Sequence, residues 1–279
     1  MQESVARAVH WSAVNRPMKL AVVAALGLSL VSCAGEPKVN PTLAALAEDS
    51  FADAAGLSAK PDWASIREKQ GNDLTDEIMR ECPKCQRPQF HPAPAQGDPR
   101  TIIRDSANQI AGALIDVPSD AIAPVAREHA KLSQMGGQAP SKEQFEAVTK
   151  PDKLGRKDKE RAAEALRWEQ GAIYAVGVAQ GQSGSNPGPY RTAVETHLGA
   201  ADRLRTLLPD DEEPKAAPGY TIDYPEPTNA ASSAQMVAAL EKDTVDMWQA
   251  TATAATTPEW RAQSVLAASA AAVASLPFS

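Results

Sequence analysis

The chain has 279 residues, with 28 Lys plus Arg against 35 Asp plus Glu, a formal charge of −7. Hydrophobic residues make up 43% and charged ones 23%, a balance that can bury a core and excludes wholesale disorder. Aromatics are only 5%, which points away from an aromatic-rich β-sandwich and toward helices packed closely through small side chains. No basic run interleaves with aromatics, so nucleic acid is not an expected partner.

At the N-terminus, Lys19 precedes the uncharged apolar run Leu20–Val31. That run is too short to span about 30 Å of hydrocarbon as a permanent helix. It leads into Leu30-Val31-Ser32-Cys33 and then Ala34-Gly35, with a branched apolar residue three places before a cysteine and a small residue directly before it. This resembles a bacterial lipobox. The resemblance implies that residues 1–32 are a signal peptide cleaved after Ser32. It also implies a diacylglycerylated Cys33 and a chain anchored at the outer face of the cell membrane, with lipid as its first partner. The plainer alternative is an uncleaved anchor with an incidental cysteine. Residues 1–17, with Arg7 and Arg16, read either as an extended basic leader or as an over-long start before Met18. Cleavage would leave a formal −9. So acidic a body is not held by anionic lipid, and acyl chains, at ~0.8 kcal/mol per buried CH₂, would carry the anchoring.

Residues 33–41 read as a lipidated tether and 42–150 as a helical N-terminal region. Pro41-Thr42-Leu43 opens a helix to about Leu57. A second runs from Pro61 to Glu81, with Gly71-Asn72-Asp73 as a candidate break. Pro83, Pro88, Pro92, Pro94 and Pro99 forbid a continuous helix after it. Ile103, Ala107, Ile110 and Leu114 recur at helical spacing and give a third helix one apolar face. Pro118 ends that helix, and Pro124 sits in the first turn of another reaching Met135. His129 on this helix reads as exposed or capping, and Gly136–Pro140 as a loop.

The pattern over 156–279 is clearer. A helix from Arg156 to Gln180 places Lys159, Ala162, Leu166, Glu169, Ile173, Val176 and Gln180 on one seam, at alternating spacings of three and four. After a Gly/Ser/Pro turn, Tyr190–Leu208 does the same with Tyr190, Val194, His197, Ala201, Leu204 and Leu208. Residues 209–229 hold five prolines and form an extended connection. Ala230–Ala255 is a third helix with Met236, Leu240, Met247 and Trp248 on its apolar side. Thr257-Pro258-Glu259 caps an Ala-rich last helix ending near Leu276. Short loops make two antiparallel hairpins, and the long connection can cross a helix of ~28 Å. The expected fold is all-α: a ferritin-like four-helix bundle with one long crossover, preceded by an additional helical region.

The runs Trp168–Ala179 and Thr196–Leu204, with Pro218-Gly219-Tyr220, Tyr224-Pro225 and the small-residue last helix, resemble actinobacterial ferritin-like proteins of unknown function. The resemblance covers roughly 156–279 and implies a fold, not an activity. Di-iron bundles of this kind take a Glu from two helices and Glu-x-x-His from the other two, so that carboxylate and imidazole share a helix face. Here Glu195 lies two residues from His197 and faces elsewhere, and the last helix offers only Glu259 at its mouth. Half the set is missing, so an intact di-metal centre and a cofactor are not expected. Glu169, His197 and Asp243 remain as weak candidates for a single metal, against the alternative of a buried Glu–His hydrogen bond. Folding the hairpin symmetrically about its loop sets Glu169 level with Asp202, ~7.5 Å along the axis from His197.

Cys82-Pro83-Lys84-Cys85 carries the other chemistry. Outside the cytoplasm, and with Cys33 lipidated, these two cysteines are expected to form a disulfide. A thioredoxin-like site would need a strand running into a helix N-terminus. Zinc would need two more ligands, with His91 as one. Gln86 stands where haem attachment requires His.

The leading expectation is a membrane-anchored extracytoplasmic lipoprotein acting as a non-catalytic binding or scaffold module, as an accessory subunit of an envelope or respiratory membrane complex. The competing reading is a metal- or thiol-dependent oxidoreductase with a degenerate ferritin-like site. A third is small-molecule binding between the two helical halves.

Overall fold

A computed structural model describes residues 38–148, 154–217 and 219–279. The lipobox and Cys33 lie outside the described residues. Among these residues every regular element is helical: α1 (Pro41–Gly56), α2 (Pro61–Glu81), α3 (Pro99–Ala113), α4 (Ile122–Gly136), α5 (Lys142–Ala147), α6 (Arg156–Gly181), α7 (Gly188–Arg205), α8 (Ala230–Ala254) and α9 (Pro258–Ala274). None is long and apolar enough to cross a membrane.

The helix starts are written locally. The side chains of Asn40, Asp98 and Thr257 accept from the first free amides of α1, α3 and α9, each of which has a proline in its opening turn. Such caps satisfy donors that no intrahelical carbonyl can reach. Asn229 and Ser232 form a reciprocal capping box at α8. α4 stops at Gly137, which takes φ +61°, a left-handed cap favourable only to glycine. The expected break at Gly71 is absent, and α2 runs through it. The Phe51 ring of α1 comes within 3.0 Å of where a Cβ would stand, so Gly71 is a close-approach point rather than a hinge.

Helices α6 to α9 form the expected four-helix bundle. α6 pairs with α7 and α8 with α9, while α6 lies against α8 and α7 against α9. Asp158 near the start of α6 binds the Thr256 amide beyond the end of α8, and Trp168 reaches Thr244. α6 and α8 are therefore antiparallel, α7 and α8 parallel, and residues 206–229 climb the bundle between them.

Helices α1 to α4 repeat this connectivity, which the sequence analysis read only as a helical region. α1 pairs with α2, α3 with α4, and α1 also packs on α3. The end of α1 meets the approach to α3, where the Ala95 amide donates to the Ala52 carbonyl. The proline-rich segment 82–98 is thus the crossover of a first bundle.

The two bundles are joined through α4, which packs on α9 and α8. Ala252, Ala262, Val265 and Leu266 sit in one apolar cluster with Ile103, Ile110, Val125 and Leu132. α9 is consequently enclosed, with every residue from Trp260 to Ala272 buried. A helix covered on all sides has no polar face to display, and its alanines let neighbours approach from both bundles. His129 is not exposed as expected. It is buried against α9, its Nδ1 2.5 Å from the Ser269 hydroxyl, and burial pushes its pKa down to about 4.

Candidate functional site

The seams of α6 and α7 turn Glu169 and His197 into the second bundle's centre, and α8 adds Glu241 and Trp248. Glu169, His197 and Glu241 are each at most 1% exposed. His197 Nδ1 lies 2.6 Å from Glu169 Oε2, and the Trp248 indole donates to Glu169 Oε1 at 2.6 Å. His197 Nε2 is 3.2 Å from Glu241 Oε1 but is not aligned for a hydrogen bond. Nε2 and both Glu241 oxygens have no partner. Burial alone would lower the imidazole pKa, but the charge and hydrogen bond of Glu169, with Glu241 beside Nε2, carry it up to about 10. The centre sets an imidazole between two acidic side chains, whose presence favours its protonated form.

The expected axial offset does not keep Glu169 and His197 apart, since their side chains meet at 2.6 Å. Of the three acids that the third bundle helix offers in sequence, Glu241, Asp243 and Asp246, it is Glu241 and not the candidate Asp243 that joins the centre. Its signal was present: Val237, Glu241, Thr244 and Trp248 follow spacings of four, three and four, and all four are buried. Asp243 lies off that seam, on the flank of α8, where the Tyr224 hydroxyl donates to it at 2.7 Å.

These residues do not make a resident metal site. Both Glu169 oxygens are engaged inside the protein, which leaves one imidazole nitrogen and one carboxylate. Even an open catalytic zinc keeps three protein ligands. Among the described residues no group of His, Cys, Asp or Glu is disposed to hold a metal ion.

Asp243 belongs instead to a cleft of about 350 Å³ under the crossover, lined by Trp168, Tyr220, Ile222 and Tyr224 with Arg167 and Asp223. The crossover is tied down beside it. Tyr220 donates to Gln170 Oε1 at 3.2 Å, and Gln170 Nε2 donates to the Pro214 carbonyl at 3.1 Å. Between the halves, α4 and α8 border an open groove that carries Arg127, Lys131 and Lys242.

The first bundle has its own buried ion centre. Arg67 of α2 puts Nε 3.0 Å and Nη2 2.9 Å from Asp53 Oδ2 of α1. Its Nη1 meets Glu128 of α4 and also donates to Gln70 at 2.6 Å. The Ser50 hydroxyl donates to Glu128 at 3.2 Å, and that of Ser106 to Asp53. Burial pushes both carboxyls up and Arg67 pulls them back. No motif spacing in the sequence marks Asp53, Arg67 and Glu128 as one centre.

Cys82 and Cys85 are joined, with sulfurs 2.07 Å apart. They follow the C-terminus of α2 rather than opening a helix, so no helix N-terminus is present to stabilise a thiolate.

No curated protein and no solved structure matches this chain. One family does, over residues 162–279, which run from within α6 to the last residue: it is described as a domain of unknown function (DUF4439).

Proposed function

We propose that this protein is an extracytoplasmic lipoprotein of actinobacterial type, held at the outer face of the cell membrane by acylated Cys33. Its helical body is a non-catalytic binding module, serving as an accessory subunit of an integral-membrane complex. The observation that carries the non-catalytic part is the second bundle's centre. Where a ferritin-like bundle would hold its reacting metals, His197 is wedged between Glu169 and Glu241, and all three are closed off from solvent. The chemistry open to a ligand lies in clefts on the outside of the bundle. The lipobox supports the anchor.

The test is extraction of the native lipidated protein in mild detergent, with quantitative mass spectrometry of whatever co-purifies. A stoichiometric integral-membrane protein is expected, and loss of membrane association in Cys33→Ala. A protein that purifies alone rejects the accessory role.

One observation favours the metal-dependent reading: His197 Nε2 and the Glu241 oxygens are buried and without partners, a costly arrangement. Elemental analysis of the same preparation decides it. A sub-stoichiometric metal content is expected. A stoichiometric transition metal that disappears in Glu241→Gln would sink the non-catalytic reading.

A further inference from the structure

On the far side of the second bundle, α5 folds over the gap between α7 and α9. Ser141 and Gln144 cap this short helix reciprocally, and its Phe145 is buried against the bundle. Phe145, Leu207, Arg203 and Gln263 line a cleft of about 340 Å³ there. A void of about 10 Å³ continues inward from Arg203 and Gln263 to Trp248 and Trp260, room for about one water.

On the rim of this cleft Lys142 faces Glu146 and the Thr206 hydroxyl donates to the Arg203 carbonyl at 2.7 Å, but the side chains of Arg203 and Gln263 are left without partners among the described residues. The Arg203 guanidinium carbon lies over Phe145, 3.9 Å from the ring centroid. Among the described residues no carboxylate comes within ion-pair distance of it. Gln263 is 7% exposed and makes no hydrogen bond among the described residues. The Trp260 indole N–H is buried and unpartnered. Glu146 is the one acid of the cleft, and it faces Lys142 at 3.5 Å on the exposed rim. Burial works against the charge on Arg203, and Glu169 and Asp202 support it from a distance. An arginine stays charged under such pressure, so a desolvated cation faces the cleft without a counter-ion.

We propose that this cleft binds a small amphiphilic carboxylate, its head on Arg203 and Gln263 and its apolar body against Phe145 and Leu207. A single guanidinium fork matches one planar carboxylate in a bidentate pair. A phosphate dianion would bring two charges to one cation. The head fills only a fraction of the cleft, whose size suits a ligand with a body, and the remaining wall is aromatic and aliphatic. The inference is separate from the membrane partner proposed above, because it stands or falls without Cys33.

The experiment is calorimetric titration of full-length lipidated protein in nanodiscs, with empty nanodiscs as the blank. Octanoate and 3-phenylpropionate are the probes, and octanol and octylamine the controls. Saturable binding of at least one acid is expected, with neither control bound. Preference for octanoate identifies an acyl chain as the source, and preference for the aryl acid identifies a soluble aromatic acid. Arg203→Gln should weaken binding at least tenfold. Leu207→Trp, at a half-exposed position, should block the cleft with Arg203 intact, which guards against misfolding of the first variant. No saturable heat with either acid, or wild-type affinity in both variants, overturns the proposal.

Discussion

The two bundles share a connectivity and place a cation of their second helix between two buried carboxylates, yet they complete the arrangement differently. In the first, Arg67 spreads its fork over Asp53, Glu128 and Gln70. In the second, His197 has two ring nitrogens for two carboxylates and aligns only one of them, with Glu169. Arginine brings five N–H donors in a rigid plane, whereas imidazole brings two. The first centre is therefore closed, and the second leaves the Glu241 oxygens without partners. What a helical bundle tolerates at its heart depends on donor count as much as on charge. Only the second heart can lose its proton.

The largest effect should come from removing the closed centre. Arg67→Met leaves Asp53 and Glu128 buried without their cation, which should cost about 3–5 kcal/mol in urea unfolding. Arg67→Lys should rescue little, because a point charge does not reproduce the fork. Combining Arg67→Met with Asp53→Leu and Glu128→Leu should recover most of the loss. A small effect from Arg67→Met alone would mean that the first bundle does not rely on its clamp.

The comparison sharpens with pH. His197 holds its proton to about pH 10 in the folded protein and to roughly 6.5 when unfolded. Its contribution is fully present below the unfolded value and is lost as pH rises through the folded one. The unfolding free energy read from urea titrations should fall between roughly pH 6.5 and 10 by an amount of the order of a few kcal/mol. His197→Gln should start less stable, because two carboxylates lose their partner, and should flatten the alkaline slope. A wild-type midpoint unchanged over that range would refute the imidazolium.

Acid conditions test the seam where the bundles meet. His129 is held neutral in the fold, titrating at about 4, while the unfolded chain takes up the proton near 6.5. Stability should fall as pH drops from about 6.5 toward 4, by at most about 3 kcal/mol. His129→Gln should remove that portion of the slope, read again from urea midpoints.

The same contrast explains what could be read from the chain. The second bundle was legible because its seams alternate spacings of three and four and its connections differ sharply in length. The first was not, because its polar heart disguises its seams. Arg67, Glu128 and His129 are residue types that usually mark a surface, and here each is buried. α9 shows no apolar stripe because it is enclosed, and its alanines record that packing rather than a face. Among the acids of α8, register singles out Glu241, which shares a buried seam with Val237, Thr244 and Trp248, while Asp243 lies off it. The capping box of Ser141 and Gln144 would have revealed α5.

The smallest effect belongs to the crossovers, where the bundles differ again. The first is clipped by Cys82–Cys85. The second is tied by Tyr220 to Gln170 and by Tyr224 to Asp243. A bridge closing so short a loop removes little entropy from the unfolded chain, at most about 2 kcal/mol. Reduction, or the pair Cys82→Ser and Cys85→Ser, should lower Tm by only a few degrees. Hydrogen exchange should quicken in 82–98 and leave α1 to α4 protected, because the helices are held by Arg67 and the shared apolar cluster. If reduction instead exposes α2 and α3 together, the disulfide carries the first bundle. The difference between the two hearts would then matter less than the difference between their straps.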